Sequence, residues 1–192
     1  MRIPRDFYAR DTLTVARDLL GQILVRETDE GITKGIIVET EAYLGEWDDA
    51  AHSYKGKSER VRIQYGLAGC TYIYLIYGMY YCMNITTGPI GVPEVVLLRA
   101  LEPVSGMDVM EKRRKTDKIY NLCSGPGKLC MAMDIGKTLY GIDLCDGREL
   151  YLEYGKTPVE TEASKRIGID YARKSKDELW RFTIKGNKFV SR

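Results

Sequence analysis

Histidine is almost missing from this chain: there is one, His52. A metal site built from several histidines is therefore excluded. Phenylalanine is scarce, with three residues against fourteen tyrosines. No run of about 18 apolar residues occurs, so no membrane-spanning helix is expected. The start, Met1-Arg2-Ile3-Pro4-Arg5-Asp6, shows no apolar signal core, and an intracellular location is expected. The five cysteines, at 70, 82, 123, 130 and 145, are odd in number and form no C-x-x-C pair. Neither a disulfide framework nor a zinc ribbon follows; small buried thiols in a reducing compartment do. Neither sign of charge is in excess: 29 basic and 27 acidic residues leave +2. That balance does not by itself point to nucleic acid. Two basic clusters, Lys112-Arg113-Arg114-Lys115 and Lys165-Arg166 with Arg173-Lys174 and Lys176, read as solvated faces.

What is present suits one globular domain over residues 1–192, with 44% hydrophobic residues to build a core. A helix is predicted over Leu13–Leu20, capped by Asp11 or Thr12 and stopped at Gly21. Ile23–Arg26 and Ile36–Tyr43 read as strands of a hairpin turning at Asp29-Glu30-Gly31. Residues 46–71 read as mostly irregular. Tyr72–Tyr77 and Tyr80–Thr86 form a second hairpin broken at Gly78, and Glu94–Leu101 a further strand. Helices follow over 106–115 and from Ser124-Gly125-Pro126-Gly127-Lys128 to Met133. Late strands are Glu149–Glu153 and Arg181–Lys185. The fold class is α+β with mainly antiparallel sheet.

Two stretches carry chemistry. In Glu39-Thr40-Glu41-Ala42-Tyr43, strand alternation puts Glu39, Glu41 and Tyr43 on one face. A carboxylate beside a ring can activate water and stabilise an oxocarbenium-like sugar. A glycosidase acting on O-glycosides needs a second carboxyl to protonate the leaving oxygen. An alkylated, cationic base leaves without it. Read alone, this stretch fits better as a solvated pair of glutamates on an exposed strand face, since Asp and Glu are mostly exposed. The second stretch is the ladder Tyr72, Tyr74, Tyr77, Tyr80, Tyr81. Each hydroxyl needs water or a partner, which suits a half-wet pocket as well as an ordinary amphipathic sheet. A ring at a hairpin tip can wedge into a DNA groove, and a ring in a pocket can stack on an everted base. His52 could stack or offer a hydrogen bond, or be structural. Asn84 could read a purine edge and Arg99 could hold a phosphate or position water; either also fits as a routine polar residue of a sheet. Ser124-Gly125-Pro126-Gly127-Lys128 reads as a helix start suited to anions or as plain cap geometry; it is not a Walker A loop.

In combination these residues resemble the alkyladenine (3-methyladenine, methylpurine) DNA glycosylase family, from about Ala16 to Ile184. The matching blocks include Val38-Glu39-Thr40-Glu41-Ala42-Tyr43-Leu44-Gly45, Ala50-Ala51-His52-Ser53, Tyr72-Ile73-Tyr74-Leu75-Ile76-Tyr77-Gly78-Met79-Tyr80, Cys82-Met83-Asn84-Ile85, Val96-Leu97-Leu98-Arg99-Ala100-Leu101-Glu102-Pro103 and Leu122-Cys123-Ser124-Gly125-Pro126-Gly127-Lys128-Leu129. The resemblance implies a single compact α+β domain with a mixed, mainly antiparallel sheet, flanking helices and a protruding DNA-inserting β-hairpin. It implies Glu41 as the base that activates water and Arg99 as a second contact to that water. Tyr43 would stack on one face of the flipped base, His52 and Tyr74 on the other, and Asn84 would discriminate against guanine. Tyr77 would intercalate, with Met79, Tyr80 and Lys128 as DNA contacts. Family substrates include 3-methyladenine, 7-methylguanine, hypoxanthine and ethenoadenine in damaged double-stranded DNA. The reaction leaves an abasic site without cutting the strand and uses no metal, cofactor or Schiff-base lysine. A monomer without membrane contact is expected. Two departures stand out: the family pattern has Asn where Val61 stands and Met where Gln64 stands, and the region around Arg166-Ile167-Gly168-Ile169 matches loosely. A non-catalytic sensor of distorted DNA and a hydrolase of free nucleosides are the competing readings.

Overall fold

The computed structural model describes residues 1–158 and 160–191. Two short helices open the chain, α1 (Arg5–Tyr8) and α2 (Thr12–Asp18). Asp11 caps α2 by accepting from the Thr14 N–H at 2.9 Å, as an aspartate at a helix start does. Then follow β1 (Ile23–Thr28), β2 (Gly31–Tyr43), β3 (Thr71–Ile76), β4 (Tyr80–Thr87) and β5 (Glu94–Ser105). Helices α3 (Met107–Arg114) and α4 (Pro126–Ala132) precede β6 (Leu150–Glu153), β7 (Thr161–Ser164) and β8 (Arg181–Ile184).

The strands form one sheet in the order β3-β4-β5-β2-β1-β6, with β8 joined to β2 and β7 to β8. Among the described residues every strand pairing is antiparallel, so the mixed sheet expected from the family resemblance is corrected. Hairpin-joined strands pair this way by construction. The long strand β2 has β5 along one edge; on the other, β1 takes its first half and β8 pairs with Glu39, Thr40 and Glu41. Its central glutamates are thus interior to the sheet.

Period-two alternation splits the sheet's faces. Ala42, Ile73, Met83, Ile85, Val96 and Leu98 join the main core, where α2 and α4 supply Val15, Ala16, Leu129 and Cys130. Glu39, Glu41 and Tyr43, with Tyr72, Tyr74, Asn84, Leu97 and Arg99, lie on the opposite face. Three irregularities interrupt the β2–β5 ladder: Val104 lacks a partner near its end, and at its centre Val38 and Arg99, on opposite strands, have no partner in register. A bulge re-aims the residue it carries.

Residues 46–71 are irregular as predicted, apart from 3-10 turns at Gly45–Trp47 and Glu59–Tyr65. The short β7 escaped prediction because it shows no alternation: its residues are exposed except Ser164. The basic clusters are not simply solvated. Arg113 donates to Glu30 and the Ala132 carbonyl, and Arg114 to the Leu122 carbonyl, tying α3 to its neighbours. Arg166 is fully buried. Cysteines 70, 82, 123 and 130 are buried and Cys145 half-buried, all as free thiols. Among the described residues no helix is long and apolar enough to cross a membrane.

Candidate functional site

The face of the sheet turned away from the helices carries a cavity of about 530 Å³, within the range of small-molecule sites. Tyr43 of β2, Tyr72 and Tyr74 of β3, Tyr80, Cys82 and Asn84 of β4 and Val95, Leu97 and Arg99 of β5 form its floor. His52, Arg60 and Gln64 from the irregular segment and Ile167, Gly168, Ile169 and Tyr171 from a late loop wall it. The sequence-predicted Glu41, Arg99, Tyr43, His52, Tyr74, Asn84, Tyr77 and Tyr80 all lie at or directly behind this cavity.

Glu41 is fully buried, not a solvated strand residue. Its Oε2 accepts from the Tyr43 hydroxyl at 2.9 Å and from Arg99 Nη1 at 3.3 Å, and its Oε1 accepts from the Ile167 N–H at 2.7 Å. Burial pushes its carboxyl above the usual carboxylate range, against the pull of Arg99, the Ile167 N–H and the Tyr43 hydroxyl. Three donors aimed at one carboxyl fit the ionised form, which only accepts. Arg99 and Tyr43 stand between Glu41 and the cavity.

Behind Arg99 lies the other glutamate. Glu39 accepts from Arg99 Nε at 2.9 Å, Arg181 Nε at 2.7 Å, the Ser191 N–H at 2.7 Å and the Ser191 hydroxyl at 2.8 Å. Burial alone would raise its pKa, but these donors outweigh it and hold it below the ordinary value. A charged Glu39 fixes the Arg99 fork so that Nη1 falls on Glu41.

A second buried pair holds the late loop. Arg166 donates to both oxygens of Asp48, at 2.6 and 2.9 Å, and to the Ala42 carbonyl. Its guanidinium lies over the rings of Tyr43, at 4.6 Å, and Trp180, at 4.8 Å. Burial works against the Asp48 charge, yet Arg166, Ser175 and the Leu44 N–H keep its pKa low. Next door, Asp49 accepts from the N–H groups of Arg173, Lys174 and Ser175. This double anchor seats Ile167 on Glu41.

The rings are set by the hairpin of β3 and β4. His52 Nδ1 lies 2.8 Å from the Tyr72 hydroxyl. Its ring meets Tyr74 at 4.5 Å and 75°, while Tyr72 and Tyr74 lie 5.6 Å apart at 34°. His52 and Tyr74 being nearly perpendicular, only one of them can lie flat on a given planar ligand. His52 keeps an exposed edge, but packing round its ring and the Arg60 guanidinium push its pKa down to about 4, so it is neutral at pH 7. Asn84 is buried and donates through Nδ2 to the Tyr72 carbonyl.

At the hairpin's end Tyr77 (φ 53) and Gly78 (φ 67) are both left-handed, and the Met79 N–H closes the turn on the Ile76 carbonyl at 3.2 Å. Tyr77 is 81% exposed and Met79 66%. Close approach explains a glycine next door: a Cβ on Gly127 would come within 2.9 Å of Tyr80 Cβ. Helix α4 has seven residues and no side-chain cap, so its glycines serve packing and cap geometry. Lys128 is away from the cavity wall and donates to Asn121 Oδ1 at 2.6 Å. A shallower cavity adjoins the first, sharing Ala51, His52, Arg60 and Tyr171 and adding Lys55, Arg173 and Lys174.

Sequence reasoning missed Arg166, Asp48, Arg181, Ser191 and the Ile167 amide. The signal within reach was the loosely matching Arg166-Ile167-Gly168-Ile169 block, of which Ile167, Gly168 and Ile169 line the cavity.

The profile of the family described as Methylpurine-DNA glycosylase (MPG) matches residues 6–188. A protein of Clostridium acetobutylicum is 49% identical over all of this chain and 98% of its own length. One from Methanocella arvoryzae is 49% identical over 99% of this chain and 96% of its own, and one from Desulfitobacterium hafniense 44% over 99% and 98%. All three are named, by inference, 3-methyladenine DNA glycosylases.

Proposed function

The chain belongs to the Methylpurine-DNA glycosylase family, hydrolases of N-glycosyl bonds, and from that premise we propose that it removes alkylated or deaminated purines from double-stranded DNA and leaves an abasic site. The carrying observation is one buried carboxylate, Glu41, gripped by Arg99, Tyr43 and the Ile167 amide directly behind an aromatic cavity.

The everted purine enters the cavity against Tyr43, with His52 or Tyr74 on its other face; a flat ring stacked on a base contributes roughly 1–3 kcal/mol. A cationic base gains further from the tyrosine π-faces. Water reaches Glu41 when the Tyr43 hydroxyl yields its place on Oε2. As the bond from the sugar to the base breaks, the Glu41 charge steadies the developing sugar cation, and Glu41 takes the proton of the water whose oxygen bonds to the anomeric carbon, while Arg99 holds both water and carboxylate. His52, neutral at pH 7, serves as ring and hydrogen-bond partner and brings no charge against a cationic base. Asn84 stands where a guanine amino group would clash. Tyr77 fills the gap left in the stack, with Met79 and Tyr80 beside it, and Lys55, Arg173 and Lys174 meet phosphates. Lys128, tied to Asn121, is a DNA contact only if that bond opens.

Glu41→Gln keeps the shape and removes the base. It is expected to abolish release of hypoxanthine or methylpurine from a duplex, read as alkali-sensitive strand breaks, while DNA binding persists. Undiminished release would remove Glu41 from the mechanism.

A further inference from the structure

Gln64 is 2% exposed, lies in the Glu59–Tyr65 turn and forms part of the cavity wall. Its carboxamide has no hydrogen-bond partner among the described side chains and backbone. Its polar atoms are not among the fully buried unpartnered ones of the described residues, which are the Tyr8 hydroxyl, Arg10 Nη2 and Arg166 Nε, and the residue lines the cavity. Its neighbours in this wall are His52 and Arg60, whose guanidinium lies over the Tyr74 ring, with Val61, Tyr72 and Val95 packed as an apolar cluster nearby. The second carboxamide in the cavity, Asn84, is already tied to the Tyr72 carbonyl. A buried polar group without a partner is unfavourable unless something supplies one.

We propose that Gln64 is a specificity-determining residue that hydrogen-bonds the polar edge of the bound purine. This rests on the cavity being the base pocket. A carboxamide both donates and accepts, so it can pair with the O6 and N1–H edge of hypoxanthine or, turned over, with the N6 amino and N1 edge of an adenine derivative. 1,N6-ethenoadenine offers only half of such a pairing, because its bridged N1 neither donates nor accepts and its N6 can only accept. The pocket therefore favours purines with an unblocked edge and discriminates against bridged ones.

The test is single-turnover base release from duplexes carrying hypoxanthine or 1,N6-ethenoadenine, by the wild-type chain and by Gln64→Met and Gln64→Ala. Loss of one net hydrogen bond corresponds to about a tenfold effect. The rate on hypoxanthine is expected to fall by about a further tenfold relative to that on ethenoadenine, so that the ratio shifts toward the bridged base. Two substitutions of different size guard against misfolding, checked by thermal melting; the ratio is internal to each protein and is insensitive to the fraction folded. An unchanged ratio in the folded variants, with both rates falling together or neither, overturns the proposal and leaves the glycosylase reading intact. A wild-type chain that releases neither base overturns both.

Discussion

Tyr77 holds a left-handed conformation that costs a non-glycine residue about 1–3 kcal/mol, while its ring is mostly in water. Neither fact benefits the fold. The strain makes sense if the ring's partner is a ligand, as a DNA wedge would have. Tyr77→Gly relieves the backbone and removes the wedge. Its melting temperature is expected to match or exceed the wild type while affinity for lesion duplex drops and affinity for single strands changes little. A parallel loss on both nucleic acids would speak against the wedge. Arg166 gives the opposite lesson: it makes no contact with the cavity but carries the wall. Arg166→Lys retains the charge and loses the two-pronged grip on Asp48. With Ile167 loosened, Glu41 loses a donor to its ionised form, so its pKa rises. The acid limb of the base-release profile is expected to move to higher pH, with Arg99, Tyr43 and Glu39 the other groups bearing on Glu41. A fixed acid limb in a folded Arg166→Lys protein would deny the amide this role.

The strands and hairpins were legible because alternation and glycine turns are local signals. Asp11 capping α2, Gly78 breaking the tyrosine run, and Glu39, Glu41 and Tyr43 sharing a face all follow from neighbours in sequence. What encloses the glutamates was not legible. Their partners arrive from far along the chain: Ile167 is 126 residues from Glu41 and Ser191 is 152 from Glu39. No local pattern marks a residue whose backbone amide is its function. The paired bulges at Val38 and Arg99 were equally hidden. Yet they turn an arginine of a central strand toward two carboxylates on the next. A straight ladder would put Arg99 in register opposite a β2 residue.

Several buried ions hold the sheet and the late loop together, and their balance sets how the protein responds to acid. Glu39 and Asp48 are held below their ordinary values. Such groups contribute stability above the unfolded-state pKa, about 4 for a carboxylate, that is lost as pH falls through the folded-state value. Glu41, shifted upward, works the other way and is relieved by protonation. With Glu30, Asp49, Asp143 and Asp177 also held low and Glu94 also raised, the depressed carboxylates outnumber the raised ones six to two, and the melting temperature is expected to fall as pH is lowered below about 4. Asp48→Asn should lower the neutral-pH melting temperature and flatten part of that slope. A wild-type melting temperature indifferent to pH across this range would contradict the ion-pair account.

Ser191 on Glu39, Glu39 on Arg99 and Arg99 on Glu41 form one continuous relay from the tail of the sequence to its first third. During synthesis the glutamates and Arg99 are thus made well before the segment that anchors them. A polypeptide cut before Arg181 would own every ring of the cavity and still hold its arginine slack.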